Sequence, residues 1–278
     1  MKAWLVTGCS SGLGRALASA AIARGDAVLA TARDVGSLET LIARAPERAF
    51  AHCLDVTSPG AARLAVEEAL ARFGRIDVLA NYAGYGLLGA LEDLDEHELR
   101  EQFETNLFGA LALTRAVLPS MRAAGTGCIV QMSSLVGVVP GPGGSAYVGS
   151  KAALDAMSES LAGEVAPFGI RVLIVEPGGF RTDASGRSMR WAATSPAYRA
   201  FIEPARAAFA ARHGHQEGDP ARAAAAVLAA VDDPGAPLRL PLGADAYAHI
   251  DAYLRCRLRD HVEPPDTAFT DLPRQDGQ

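Results

Sequence analysis

Short apolar runs alternate with longer stretches rich in Ala, Leu, Glu and Arg along most of this chain. The runs fall at residues 3–6, 27–31, 49–54, 78–80, 128–132, 171–175 and 238–240 and are continuously apolar, as in strands covered by helices on both faces. Helical patterning fills the intervals at 13–24, 37–44, 59–73, 96–124, 146–166 and 220–231. This regular β-then-α order predicts an α/β fold, a doubly wound parallel sheet of about seven strands with right-handed crossovers. No compositional break marks a second domain, so residues 1–262 are expected to form one. Residues 183–218 interrupt the alternation and read as an insertion between the last two strands. The Pro- and Asp-rich tail 263–278 is expected to be poorly ordered.

The turn Gly8-Cys9-Ser10-Ser11-Gly12-Leu13-Gly14 joins the first strand to the first helix. Glycines there allow a tight turn and close approach of backbone to a pyrophosphate, which the positive helix N-terminus holds. At the start of a βαβ unit it marks a dinucleotide site far better than a bare glycine triplet does. A second constellation lies in Tyr147-Val148-Gly149-Ser150-Lys151, with Ser134 thirteen residues upstream. The i,i+4 spacing puts phenol and ammonium on one helix face. A nearby ammonium favours the phenolate, so a group with an ordinary pKa of about 10 can exchange protons closer to neutrality.

Composition narrows the function classes. Half of the 278 residues are hydrophobic, a fifth are charged and the net charge is −6, which describes a globular protein. No Lys/Arg run supplies an electrostatic footprint for nucleic acid. Cys9, Cys53, Cys128 and Cys256 and the six histidines lack metal-ligand spacing, so no metal is expected and reduced thiols are the default. No signal-peptide pattern or membrane-length apolar stretch is present, and a cytoplasmic protein without a membrane partner is expected.

The spacing Gly-x-x-x-Gly-x-Gly resembles the short-chain dehydrogenase/reductase family, and later motifs continue the resemblance. Asp55-Val56 is similar to the family's adenine contact. Asn81-Tyr82-Ala83-Gly84 matches its Asn-Asn-Ala-Gly signature, with Tyr82 in place of the second Asn. Asn106, Ser134, Tyr147 and Lys151 fall in the order of its catalytic tetrad, Ser133 being the competing serine. Pro177-Gly178-Gly179-Phe180-Arg181-Thr182 stands where the family closes over the nicotinamide and diphosphate. The resemblance is good over residues 3–182 and looser to Leu242. It implies a Rossmann-type fold that binds NADP or NAD through the glycine turn (Gly8, Ser10, Ser11, Gly12, Leu13, Gly14) and these later motifs. It also implies hydride transfer between the nicotinamide and a carbonyl or secondary alcohol, with Tyr147 as acid or base. Lys151 would lower the phenol pKa and hold the ribose, Ser134 would polarise the carbonyl, and Asn106 would reach Lys151 through water.

Cofactor choice is expected at the end of the second strand. Ala32 occupies the place where NAD-specific relatives carry the ribose-binding Asp, and Arg33 follows with donors suited to a 2′-phosphate. Asp34 is expected to cap the next helix. NADPH is therefore expected over NADH. The substrate wall is assigned to the loop after Ser134, to residues 85–88 and to the insertion, with Trp191, Tyr198 and Phe201 supplying aromatic area for a fairly apolar small-molecule substrate. The family resemblance implies a homodimer or homotetramer built through helices 96–124 and 146–166. The alternatives are an epimerase or dehydratase on the same scaffold and a cofactor-sensing regulatory protein.

Overall fold

The computed structural model describes residues 1–182 and 188–262. The expected loosely ordered tail, 263–278, and residues 183–187 of the insertion lie outside the described residues. Seven parallel strands form the main sheet: β1 (Ala3–Val6), β2 (Ala27–Ala32), β3 (Ala49–Cys53), β4 (Val78–Asn81), β6 (Gly127–Met132), β7 (Ile170–Pro177) and β9 (Arg239–Leu242). Their spatial order is β3-β2-β1-β4-β6-β7-β9. The order reverses between β1 and β4, so a crevice opens at the carboxyl ends of these two strands, where Rossmann-like sheets take their ligands.

The pleat divides the continuous apolar strands between two cores. Trp4, Val6, Val28, Ala30, Val78, Ala80, Val130 and Val175 face helices α1 (Gly12–Ala23) and α9 (Pro220–Asp232), which contribute Leu17, Ile22, Val227 and Val231. Leu5, Leu29, Leu79, Ile129 and Ile174 face the other layer: α3 (Ala61–Phe73), α5 (Gly109–Ala124) and α7 (Ser145–Val165), with Val66, Leu113, Val117, Met121 and Val165. Burial on both faces is why these strands lack polar alternation. At the amino-terminal end of β1 and β2, the Trp4 indole Nε1 donates to Asp26 at 2.9 Å inside the core.

Three expectations need correction. The single helix at 96–124 is three pieces: α4 (Glu96–Phe103), a π-helical turn (Glu104–Phe108) and α5. The extra residue per turn lets Asn106 point inward, which a regular helix would not accommodate at this register. The insertion is not devoid of strand: β8 (Met189–Trp191) pairs in parallel with β5 (Gly86–Leu88), and α8 (Arg199–Ala211) follows. It is tied down by Ser195 N–H to Asp93 at 2.9 Å and by the Tyr198 hydroxyl to Glu92 at 2.8 Å. Finally α10 (Ala244–Val262) follows the last strand. Its pattern is weak because it buries little beyond Ala246 and Ile250. Two short helices, α2 (Glu39–Ile42) and α6 (Leu135–Val138), complete the layers. No described helix is long and apolar enough to cross a membrane.

Candidate active site

One cleft of about 940 Å³ runs along the carboxyl end of the sheet from the glycine turn to Tyr147. Its phosphate end is shaped by missing side chains. Gly8 has φ +70°, and a Cβ there would lie 2.8 Å from the backbone of Tyr82 and Ala83. A Cβ on Gly14 would stand 2.5 Å from the Gly8 carbonyl oxygen. The Ser11 side chain leaves the first amides of α1 uncapped, and no acidic residue occupies the first turn. The open amides, the positive helix end and the glycine cradle suit the donor set of a dinucleotide pyrophosphate. Thr7, which the sequence reading passed over, locks the cradle to the next strand: its hydroxyl accepts from the backbone N–H of both Tyr82 and Ala83 at 2.9 Å.

The turn residues Ser10, Ser11, Gly12 and Leu13 line the cleft, as do Arg33, Asp55, Val56, Ala83 and Gly84. The guanidinium of Arg33 is exposed and makes no side-chain hydrogen bond among the described residues, whereas Asp34 accepts from Gly36 N–H at 3.0 Å and caps the following turn. Asp55 accepts from the Thr57 hydroxyl at 2.7 Å, and these Thr57 bonds hold its carboxyl below the ordinary value, with Arg33 adding to the effect. Pro177, Gly178, Phe180 and Thr182 line the far wall. There Asp245 of α10 accepts from Gly179 N–H at 2.7 Å.

Asn81 and Asn106 do not line the cleft. Asn81 is buried and its amide donates to Ala110 O, Thr114 and Gln131 at 3.0–3.2 Å. Here its amide braces β4 to β6 and α5. Asn106 accepts from Tyr85 N–H at 3.0 Å and donates to Tyr85 O at 2.8 Å and to Ser150 at 3.1 Å. It fixes the backbone beside Gly84, where a Cβ would come 3.0 Å from its own Oδ1 and 3.6 Å from Lys151 Nζ.

The proton end brings Ser134, Tyr147 and Lys151 together. Ser134, at the start of α6, accepts from Val136 N–H at 3.4 Å and lines the cleft beside Tyr147. Burial pushes the Tyr147 phenol above its ordinary pKa, and the neighbouring Ser134 hydroxyl partly opposes the rise. Lys151 is buried; its Nζ donates to Met132 O at 2.6 Å and lies 6.0 Å from the Tyr147 ring centre. Burial lowers its amine to about 8, against a smaller opposing pull from Asp155. In the cofactor-free chain burial is the largest influence on the Tyr147 phenol, and Ser134 is the neighbour that opposes it.

The substrate side is formed by Tyr85, Gly86, Leu135, Val136, Met189 and Phe209. Trp191, Tyr198 and Phe201 do not reach the cleft. Trp191 packs edge-on against Phe209, with centroids 6.1 Å apart, and so supports the wall from behind. Charge gathers at the mouth instead: Arg190 stacks 4.6 Å over the Tyr85 ring, and Glu101, Glu104 and Arg212 also line the rim. Among the described residues no group of three or more His, Cys, Asp or Glu is arranged to hold a metal ion.

Comparison with known proteins agrees with this architecture. Residues 2–193 match the family model described as short chain dehydrogenase. The chain is 42% identical over 246 residues to Oxidoreductase BOA17 of Botryotinia fuckeliana (strain B05.10), covering 88% of this chain and 90% of that protein. The solved structure of a short-chain dehydrogenase from Streptomyces avermitilis superposes with TM-score 0.87 at 47% identity, over 94% of this chain and 96% of the other. An alcohol dehydrogenase from the archaeon Thermococcus sibiricus, solved with 5-hydroxy-NADP, superposes with TM-score 0.71 at 28% identity, over 87% and 95% of the two chains.

Proposed function

This chain belongs to the short-chain dehydrogenase family, and from that premise we propose that it is an NADP(H)-dependent oxidoreductase acting on a carbonyl or secondary alcohol of a fairly apolar small molecule. The observation that carries the reading is the convergence of Ser134, Tyr147 and Lys151 on the cleft that begins at the glycine turn. The nicotinamide, when bound, supplies or accepts the hydride. Tyr147 donates its phenolic proton to the developing alkoxide in reduction and recovers it in oxidation. A phenol raised by burial is protonated at neutral pH, which suits the reductive direction. Ser134 donates to the same oxygen and sets its approach. Lys151 holds the ribose hydroxyls, and Asn106 acts through the backbone of Tyr85 and through Ser150 rather than on the substrate.

Preference for NADPH rests on the free Arg33 guanidinium at the end of β2 and on the absence of an acid at Ala32. The NADP-type ligand of the Thermococcus sibiricus protein supports it. Residues 188–218 serve as the substrate wall, apolar inside and charged at the mouth. Assembly through α4, α5 and α7 as a homodimer or homotetramer is favoured by Phe108 and Met157, which are about half exposed on those helices. A cytoplasmic setting with reduced thiols completes the reading.

The test is consumption of NADPH with a panel of hydrophobic ketones and aldehydes, for the wild type and Tyr147→Phe. The variant should keep its NADPH affinity and lose roughly 100- to 10,000-fold in kcat/KM. Near-normal turnover would refute the role of Tyr147, and product without net NADPH consumption would favour the epimerase or dehydratase reading.

A further inference from the structure

Behind Lys151 lies a buried ionic cluster that the catalytic scheme does not use. Asp155 follows Lys151 by one turn of α7, on the same face, and is 3% exposed. Glu176, at the end of β7, is 1% exposed. Arg239 of β9 serves both: its Nη1 contacts Glu176 and lies 3.5 Å from Asp155 Oδ2, while its Nε donates to the half-exposed Glu159 at 2.9 Å. One guanidinium thus faces three carboxylates, and Asp155 has the longest of the three contacts. Neither its Oδ1 nor the neighbouring Ser133 Oγ has a hydrogen-bond partner among the described residues. Burial pushes the Asp155 carboxyl up, and Arg239 is among the groups that oppose the rise. Ser133 and Gly137 complete the pocket; a Cβ on Gly137 would stand 2.6 Å from Asp155 Oδ2 and 2.8 Å from Ser133 Oγ. The glycine therefore makes room for both polar groups.

The groups facing Asp155 are Lys151 and Glu159 on its own helix, Ser133 at the end of β6, Glu176 on β7 and Arg239 on β9. Those facing Lys151 are Asp155 and Tyr147 on its own helix, the Met132 carbonyl on β6 and, beside Gly84, the Asn106 amide of the π turn. Of these, Asp155 is the carboxylate. A buried ammonium with one neutral carbonyl partner loses much of its hold on a proton, and an under-neutralised carboxylate one turn away restores part of it.

We propose that Asp155 is a positioning residue that keeps Lys151 in its ammonium form, with Arg239 keeping Asp155 ionised. This rests on the reading of Lys151 as the ribose-holding cation of the site. A carboxylate that only clamped α7 to the sheet would affect stability and leave the proton on Lys151 unchanged. On this proposal β9 acts on the chemistry although none of its residues lines the cleft.

The chain has only two lysines, Lys2 and Lys151, so the amine can be titrated directly. In protein labelled with 13C-lysine, the Cε shifts of the apo chain are followed by NMR from pH 6 to 11, with Lys2→Arg identifying the second signal. Asp155→Asn should lower the Lys151 midpoint by about one pH unit, a tenfold weaker hold on the proton. Glu176→Gln, which leaves Arg239 to Asp155, should move it by less than about a third of a unit. Asp155→Ser, a smaller neutral replacement that stands in should Asp155→Asn not fold, should shift it in the same direction by a similar amount. An unmoved midpoint in Asp155→Asn, or in Asp155→Ser where that variant carries the test, overturns the proposal, as does an equal shift in Glu176→Gln. The alkaline limb of NADPH-dependent reduction is then compared with the NMR midpoints. A limb that ignores a moved amine leaves the Asp155–Lys151 coupling standing and refutes the catalytic reading of Lys151.

Discussion

Replacing Lys151 by Met should make the apo protein more stable near neutral pH, and the gain should shrink as pH rises. Lys151 has its amine lowered by burial from 10.5 to about 8. Between these values the unfolded chain binds more protons than the native one, so wild-type stability increases with pH through this window. The penalty of carrying this buried cation is roughly 3 kcal/mol at pH 7 and roughly 2 kcal/mol at pH 9. Methionine keeps the length of the side chain and removes the charge. It also orphans the Met132 carbonyl that Lys151 Nζ now reaches at 2.6 Å, which returns about 1–3 kcal/mol. That offset is independent of pH, whereas the narrowing of about 1 kcal/mol between pH 7 and pH 9 is not. Urea unfolding of both proteins at pH 7, 8 and 9 reads the difference. The buried Cys9 and Cys128 thiols, pushed up to about 12 and about 11, titrate equally in both proteins and cancel. A wild-type-minus-variant difference that stays flat across the window would show that Lys151 is not a desolvated cation, and the account of the proton end would fail with it.

Gly14→Ala should cost about 1–3 kcal/mol in urea unfolding and weaken dinucleotide binding at least tenfold by fluorescence titration, because its Cβ would meet the Gly8 carbonyl at 2.5 Å and the backbone cannot yield. Arg33→Ala should lower kcat/KM for NADPH by roughly tenfold or more and leave NADH nearly unchanged, the loss of a charge-assisted bond to a 2′-phosphate; equal losses with both cofactors would refute that contact. With a thiol reagent at pH 8, Cys53 and Cys256 should react rapidly and Cys9 and Cys128 only on unfolding, since the first pair is exposed and the second buried; four fast equivalents would contradict the packing of β1 and β6.

The strands were legible because burial on both faces leaves an unbroken apolar run, and the glycine turn because a backbone cradle must be written with particular residues at fixed spacing. Within that cradle Gly8 and Gly14 leave no room for a side chain. Elements stabilised by distant partners left weaker traces. The strand β8 has three residues and exists because β5 is there to pair with it. A helix-interior Asn106 beside Gly109 signals a local backbone irregularity, but its form, a π turn at Glu104–Phe108, shows only once Tyr85 is found holding both ends of the Asn106 amide. The stretch forming α10 shows no broad apolar stripe, because most of that helix faces solvent. Asn81 matched a motif, yet the side chain serves a brace, since a motif specifies a residue and not the direction in which it points.

The two ends of the cleft therefore differ in kind. The phosphate end works through absent atoms and backbone amides, and its properties follow from local sequence and the direction of α1. The proton end works through desolvation, which is a property of everything packed around it. Arg239 lies 84 residues from Asp155 and 63 from Glu176 in the chain, yet it sets how much negative charge stands behind Lys151. Tyr147 and Lys151 point to the chemistry only in company with Ser134 and the glycine turn, since the spacing alone fits many solvated helix faces. On the proposal made above, the working pKa of Lys151 depends on a carboxylate one turn further along α7 and, through it, on a guanidinium delivered by the last strand of the sheet.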